Sequence, residues 1–237
     1  MSEYEDAFFP RRIKRRKGHR LRFAVADGAT ETSFSGVWAR LLVSAFVRRA
    51  IGFDFTVEQI RPLQTKWDKL VHGKPLPWYA EEKLASGAFS SLLGLEFSEE
   101  ESGGEVNRLW CAAAFGDTCL VQMRGDDTVA AFPLKDSASF TSRPDLLSSL
   151  PTTHATTNGA VLKIEGSWGC DDTFFLMTDA LSCWFFKEKE AGGQPWVALR
   201  DLDTQGQTSF IAWVASLRVS GAMKNDDVTL MRIDIHG

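Results

Sequence analysis

Apolar residues recur along this chain with two different periods. Short runs in which every position or every second one is apolar mark strands. They lie at LRFAVA (21–26), LWCAAAF (109–115), TCLVQMR (118–124), TVAAFP (128–133), AVLKIEG (160–166), TFFLMT (173–178) and VTLMRIDI (228–235). Turn chemistry separates several of them: RGDD at 124–127 and GCDD at 169–172 carry the Gly and Asp that tight corners favour. The RGD tripeptide at 124–126 therefore reads as a hairpin corner, not an adhesion signal. Between two apolar runs, the charged and Gly-containing SEEESGGEVN (98–107) reads as a flexible insert.

Elsewhere the spacing is helical. SFSGVWARLLVSAFVRRA (33–50) puts Trp38, Leu41, Leu42, Ala45 and Phe46 on one stripe and leaves Arg40, Arg48 and Arg49 off it. PWYAEEKLASG (77–87) opens with Pro and closes with Gly, as a short helix does. TSFIAWVASLRVSG (208–221) sets Phe210, Ile211, Val214 and Leu217 on one face. Tryptophans on such stripes are core residues. Many short strands with several amphipathic helices, and no regular βα alternation, predict an α+β fold with largely antiparallel sheets.

Composition narrows this. With 237 residues, 44% hydrophobic and 24% charged, the chain suits one domain spanning 1–237 with a continuous core. No apolar run approaches the roughly 18 residues needed to cross a bilayer, and the N-terminus lacks the apolar stretch of a secretory signal. Cys111, Cys119, Cys170 and Cys183 show no Cys-x-x-Cys spacing and read as reduced, buried thiols of a cytoplasmic protein. His19, His72, His154 and His236 are scattered, which argues against a histidine metal cluster.

Charge is uneven. RRIKRRKGHR (11–20) holds seven Lys or Arg, and without it 20 basic residues face 31 acidic ones, a net of about −11. This segment reads as a solvated hairpin tip or as a dock for an acidic partner. Nucleic acid is disfavoured because no aromatic residues are interleaved with the charges.

Acids then stand out at element ends. FAVADG closes on Asp27-Gly28, AAAFGDT turns at Gly116-Asp117, and FFLMTDAL reaches Asp179 before a helix. KNDDVTL sets Asp226 and Asp227 ahead of the last strand, and EYEDAFF sets Glu5 and Asp6 ahead of an apolar pair. Each alone is an ordinary turn residue, or a helix cap at Thr178 or Asp179. Together they suggest a hard divalent cation, which wants clustered carboxylate and carbonyl oxygens.

In this order ED, VADG, GDT, MTDAL and NDDVTL resemble the motifs of the metal-dependent serine/threonine phosphatases of type 2C, in their bacterial branch, from about residue 4 to 235. The resemblance implies a sandwich of two antiparallel β-sheets flanked by α-helices on both outer faces, with the active site at one end. It implies that Asp27 bridges two Mn or Mg ions, with the Gly28 carbonyl on one of them, and that Asp179 and Asp226 complete the other. Glu5 and Asp6 then bind metal-held waters, and Asp117 helps Asp179 hold a weaker third ion. The cations activate a water for in-line attack on phosphorus and neutralise charge on the phosphoryl oxygens.

The chain also departs from that pattern. ATET follows Asp27-Gly28 where the family usually has Gly-Gly, sometimes with a His, so Thr30 and Glu31 are left to line the substrate site. The family's phosphate-binding Arg falls at Met1–Glu3, and its Asn after the last metal Asp is Asp227 here. If the Glu-Asp and Asp-Gly strands pair as a hairpin, Asp6 meets Asp27 at one end and the basic loop hangs from the other. At about 3.3 Å per residue, Arg11 then stands on the order of 15 Å from Asp6. The reading is a cytoplasmic phosphatase acting on phosphoserine and phosphothreonine in proteins, partnered with a Ser/Thr kinase or its target. The rivals are a weak or inactive regulatory module of the same fold and a hydrolase of small phosphate esters.

Overall fold

The structure, a computed structural model, describes residues 4–10, 20–30, 34–71, 84–151 and 160–236. One antiparallel sheet is formed by β1 (Ala7–Phe9), β2 (Leu21–Ala26), β4 (Leu92–Ser102), β5 (Glu105–Phe115) and β9 (Leu162–Ser167), in that spatial order. The second runs β11 (Leu230–Asp234), β10 (Asp172–Met177), β6 (Cys119–Arg124) and β7 (Asp127–Phe132). A small pair, β3 (Phe89–Ser90) with β8 (Leu147–Ser148), stands beside them.

The sheets face each other across one apolar layer. Phe23, Val25, Leu95 and Trp110 of the first meet Leu120, Phe174, Leu176 and Ile233 of the second. Helices cover both outer faces. α1 (Ser35–Val47) and α2 (Val57–Val71) lie on the first sheet through Trp38, Leu42, Phe46, Ile60 and Trp67. α3 (Asp179–Glu190), α4 (Pro195–Gln205) and α5 (Gln207–Val219) lie on the second through Leu181, Phe185, Leu199 and Val214.

This layering explains the strand sequences. LRFAVA is apolar nearly throughout because both its faces are covered, as in a buried sheet. Its bulky Phe23 and Val25 fill the space between sheets, while Ala24 and Ala26 face the helices. Small residues there let α1 lie close: a Cβ on Gly94 would stand 2.4 Å from the Phe46 ring. Trp38, Leu42, Ala45 and Phe46 are buried as their spacing predicts, with Leu41 half-buried.

Several expectations need correction. SEEESGGEVN is no flexible insert. The β4–β5 ladder continues through it to the pair Ser102↔Glu105, and only Gly103 and Gly104, both at positive φ, form the corner. Cys119 is buried, but Cys111 and Cys183 are intermediate and Cys170 is exposed in its turn. On α5, Ile211 points outward at 60% exposure, and Phe210, Trp213, Val214 and Leu217 make the packed face. The spacing rule chose Ile211 for its hydropathy and passed over Trp213.

Other elements had a readable signal. α2 buries Ile60, Gln64, Trp67 and Val71 at helical spacing, despite Pro62 within it. The β6–β7 corner at Gly125-Asp126 is capped by α4, where Trp196 Nε1 donates to Asp126 at 2.9 Å. The helix expected at 77–87 lies mostly outside the described residues. No helix among the described residues is long and apolar enough to cross a membrane.

Candidate metal centre

β1 and β2 pair antiparallel with Ala7 opposite Ala26. One further step of that register sets Asp6 beside Asp27, at the end of the pair away from the 11–20 connection. The turn after β2 is tightly held. Asp27 O accepts from Ser91 N at 2.9 Å and Ser90 Oγ at 2.8 Å, and Ser91 Oγ accepts from Asp27 N at 3.2 Å. The bridge between Gly28 and Ser90 runs through the flanking groups, Ala29 N to Phe89 O and Ser91 N to Asp27 O, and leaves Gly28's own carbonyl out of that ladder. No larger residue fits there: a Cβ on Gly28 would lie 2.7 Å from Glu5 O.

The same Ser91 reaches the second sheet, with its Oγ 2.5 Å from Thr118 Oγ1. Thr118 follows the turn Gly116-Asp117, where Gly116 takes φ +99 and a Cβ would meet Ser91. Asp117 is 7% exposed. Asp179 begins α3, directly after β10. Thr178 ties that end to β11, accepting from Thr229 N through Oγ1 at 2.9 Å. In the loop before β11, Arg218 of α5 donates to the carbonyl of Asp226, and Asp226 Oδ1 accepts from Thr30 Oγ1 at 3.3 Å and Asp227 N at 3.0 Å. Asp227 Oδ2 accepts from Glu5 N at 2.7 Å. An amide oxygen at position 227 would accept the same bond, so Asp in place of the expected Asn preserves this tie.

Five carboxylates therefore meet at one end of the sandwich. Asp27 is pushed well above the usual carboxylate range by burial, then by the charges of Asp6, Asp179, Asp117 and Asp226. Burial lifts Asp117 to about 7, with Asp179 adding to the shift. Asp6, 3% exposed, is likewise lifted to about 7 by burial, with Asp227 and Asp179 adding; Thr229 and Thr178 oppose the shift. Neither Asp6 oxygen accepts a hydrogen bond of good geometry. Tyr4 beside it is raised to about 12, by burial and then by the charge of Asp6.

Buried oxygens without partners, in an oxygen-only donor set, fit a hard divalent cation. Still, among the described residues no three acidic, His or Cys side chains close up into a finished metal shell. A lysine stands among them instead: Lys224 Nζ lies 2.8 Å from Asp226 Oδ2 and 3.4 Å from Asp179 Oδ2.

The structure thus brings together Glu5, Asp6, Asp27, Gly28, Asp117, Asp179 and Asp226, with Thr30 at the rim on Asp226. Glu31 lies outside the described residues, as does the basic loop except Arg20. Sequence reasoning missed the serines at 90 and 91, Thr118, Arg218 and Lys224. Lys224 alone had a visible signal, a cation two residues before Asp226.

Two antiparallel sheets between helical layers, with acids gathered at one end, form the fold of the bacterial type 2C serine/threonine phosphatases. The chain is similar over 100% of its length to the Mycobacterium tuberculosis serine/threonine phosphatase PstP/Ppp, covering 94% of that chain at TM-score 0.56 and 14% identity. It is similar over the same shares to the catalytic domain of the serine/threonine protein phosphatase PstP in complex with two manganese ions, at TM-score 0.52 and 14% identity. At that identity the likeness is one of fold. By sequence, no family model and no curated protein matches the chain.

Proposed function

We propose that residues 1–237 form one cytoplasmic domain that hydrolyses phosphoserine and phosphothreonine in proteins, dependent on Mn or Mg. The observation that carries this reading is the buried end of the sandwich, where Asp6, Asp27 and Asp117 crowd Asp179 and Asp226 with too little positive charge among them. An uncompensated group of buried carboxylates is costly to keep unless a cation is its working partner. The manganese complex of PstP, on the same fold, supports the choice of ion.

Asp27, the Gly28 carbonyl, Asp179 and Asp226 would hold two ions. Asp117 would hold a third, weaker ion with Asp179, while Glu5 and Asp6 would order waters. Bound divalent ions supply charge neutralisation at phosphorus and an acidified water. The chain supplies placement. Ser90 and Ser91 fix the Asp27 backbone, Arg218 fixes that of Asp226, and Thr30 orients the Asp226 carboxylate. The substrate is a phosphoprotein, a Ser/Thr kinase or its target, and the 11–20 loop offers an acidic partner a basic dock.

Turnover of a phosphothreonine peptide with and without Mn tests the reading. Ion-dependent release of phosphate is expected, and no release at saturating Mn overturns it. One observation favours a second reading, a regulatory module that binds phosphoprotein with little turnover. Lys224 already neutralises part of the acid cluster. Peptide binding without hydrolysis would establish that alternative.

A further inference from the structure

The two carboxylates nearest Lys224 are divided in the same way. On Asp226, Oδ1 is engaged by Thr30 and the Asp227 amide; on Asp179, Oδ1 accepts from Ala180 N at 2.5 Å. In both, Oδ2 faces the Lys224 ammonium, at 2.8 and 3.4 Å. The protein thus orients each carboxylate by one oxygen and presents the other to a single cation between them. Both acids are about four-fifths buried, at 19% and 21% side-chain exposure, whereas the Lys224 side chain is 66% exposed. The carboxylates stay with the frame, and the lysine lies on an open path to solvent with a flexible four-carbon stem.

Resting on the metal-dependent reading above, we infer that Lys224 is a built-in competitor for the second cation. It bridges Asp179 and Asp226 in the metal-free protein and must swing out before a divalent ion can take their Oδ2 atoms. A divalent ion such as Mg needs these oxygens at about 2.0–2.1 Å, and an ammonium between the same two atoms occupies the space and offsets part of their charge. The independent sign that the site awaits a cation is Asp6, 3% exposed and with no hydrogen bond of good geometry to either carboxylate oxygen. Loading at the Asp179–Asp226 side is consequently weaker than the carboxylate count implies, and ion concentration becomes a control on activity.

Manganese binding to the full chain, followed by the electron paramagnetic resonance signal of free Mn, tests this in wild type, Lys224→Met and Lys224→Arg. An exposed ion pair contributes up to roughly 1 kcal/mol, which converts to about fivefold in affinity. Lys224→Met should bind the Mn held by Asp179 and Asp226 about fivefold more tightly, and the metal-free variant should melt earlier because the acids lose their counter-charge. Lys224→Arg, which keeps the cation, should bind like wild type. Unchanged or weaker Mn affinity in Lys224→Met, beside clear binding by wild type, overturns the competition and leaves the phosphatase reading standing. No Mn binding in any of the three proteins overturns both.

Discussion

Two kinds of buried carboxylate occur in this molecule, and they are treated in opposite ways. Glu96 of β4, 4% exposed, accepts from Arg22 Nε at 2.6 Å and Arg49 at 2.7 Å, with Arg20 close by. Asp172 of β10, fully buried, takes both nitrogens of the Arg124 fork at 2.8 and 2.9 Å, plus Gln122 at 2.8 Å and Gly169 N at 2.9 Å. Burial alone would raise its pKa, but Arg124, Gly169 and Gln122 together hold it below the usual range. At the opposite extreme, Asp6 has no such partner and sits among other acids. Solvent exposure is similarly low in all three, so low exposure alone does not mark function. Leaving a buried charge unpartnered is what costs stability, and the proposed cation would offset that cost.

Neutralising one acid of each kind should have opposite effects. Asp27→Asn should lower phosphopeptide turnover by on the order of 100-fold or more, since loss of even a supporting partner at a metal site costs about 10–100-fold. The same change relieves like-charge repulsion, so the metal-free protein should melt later, not earlier. Glu96→Gln should do the reverse. It removes the counter-charge of Arg22, whose Nη1 keeps the Phe46 and Ile51 carbonyls, and should cost about 3 kcal/mol of stability, the low end for a broken buried pair, with kcat nearly unchanged. Urea melts and kinetics on the two variants check both halves, and near wild-type turnover in Asp27→Asn would overturn the assigned centre.

A pH series sharpens the contrast. Asp6 and Asp117 are raised to about 7, and Asp27 is raised well above its ordinary value. Between roughly pH 4 and 7 the folded state therefore holds more protons than the unfolded chain. The stabilisation is complete below the unfolded value near 4 and is lost as pH rises through the folded one. Metal-free protein should melt roughly 3–10 °C lower at pH 8 than at pH 5, allowing about 1–3 kcal/mol. Added Mn, which needs ionised carboxylates, should raise the melting temperature more at pH 8 than at pH 5. Asp117→Asn should flatten the metal-free slope, and a slope of the opposite sign would contradict the unpaired state of these acids.

Smaller effects separate the members of the cluster. Asp117→Ala should leave two Mn bound per chain while slowing turnover by about 10-fold, the low end for a supporting ligand. A loss of melting temperature with unchanged kcat would make Asp117 a turn residue only. Neutralising Arg11, Arg12, Arg15 and Arg16 together should change hydrolysis of a small aryl phosphate less than about twofold, because the β1–β2 register sets Phe9 and Leu21 at the end of the pair away from Asp27. A collapse of the small-substrate rate would mean that the loop reaches the acids.

Much of this was legible in the chain. β2 coincides with LRFAVA, β10 nearly with TFFLMT, and α1 with the stripe from Trp38 to Phe46, because burial on a fixed side writes a local period. The acids at strand ends were also legible, since each ends a recognisable apolar run, and Asp6 beside Asp27 followed from treating the two strands as a hairpin. The 98–107 hairpin was misread because its tip is polar on both faces, leaving only Gly-Gly to mark a turn between paired strands.

Tertiary structure alone decided which acids are partnered. Nothing local distinguishes Glu96 or Asp172 from Asp6. Their arginines come from positions 22, 49 and 124, and pairing across a sheet depends on register and layer, not on neighbours in sequence. The same holds for Ser91, which joins the Asp27 turn to Thr118 on the other sheet, and for Lys224, whose position between Asp179 and Asp226 depends on where the loop before β11 meets the start of α3. Sequence determines the period and the chemistry of each segment; three-dimensional packing determines which charges share a dielectric and must therefore be paired.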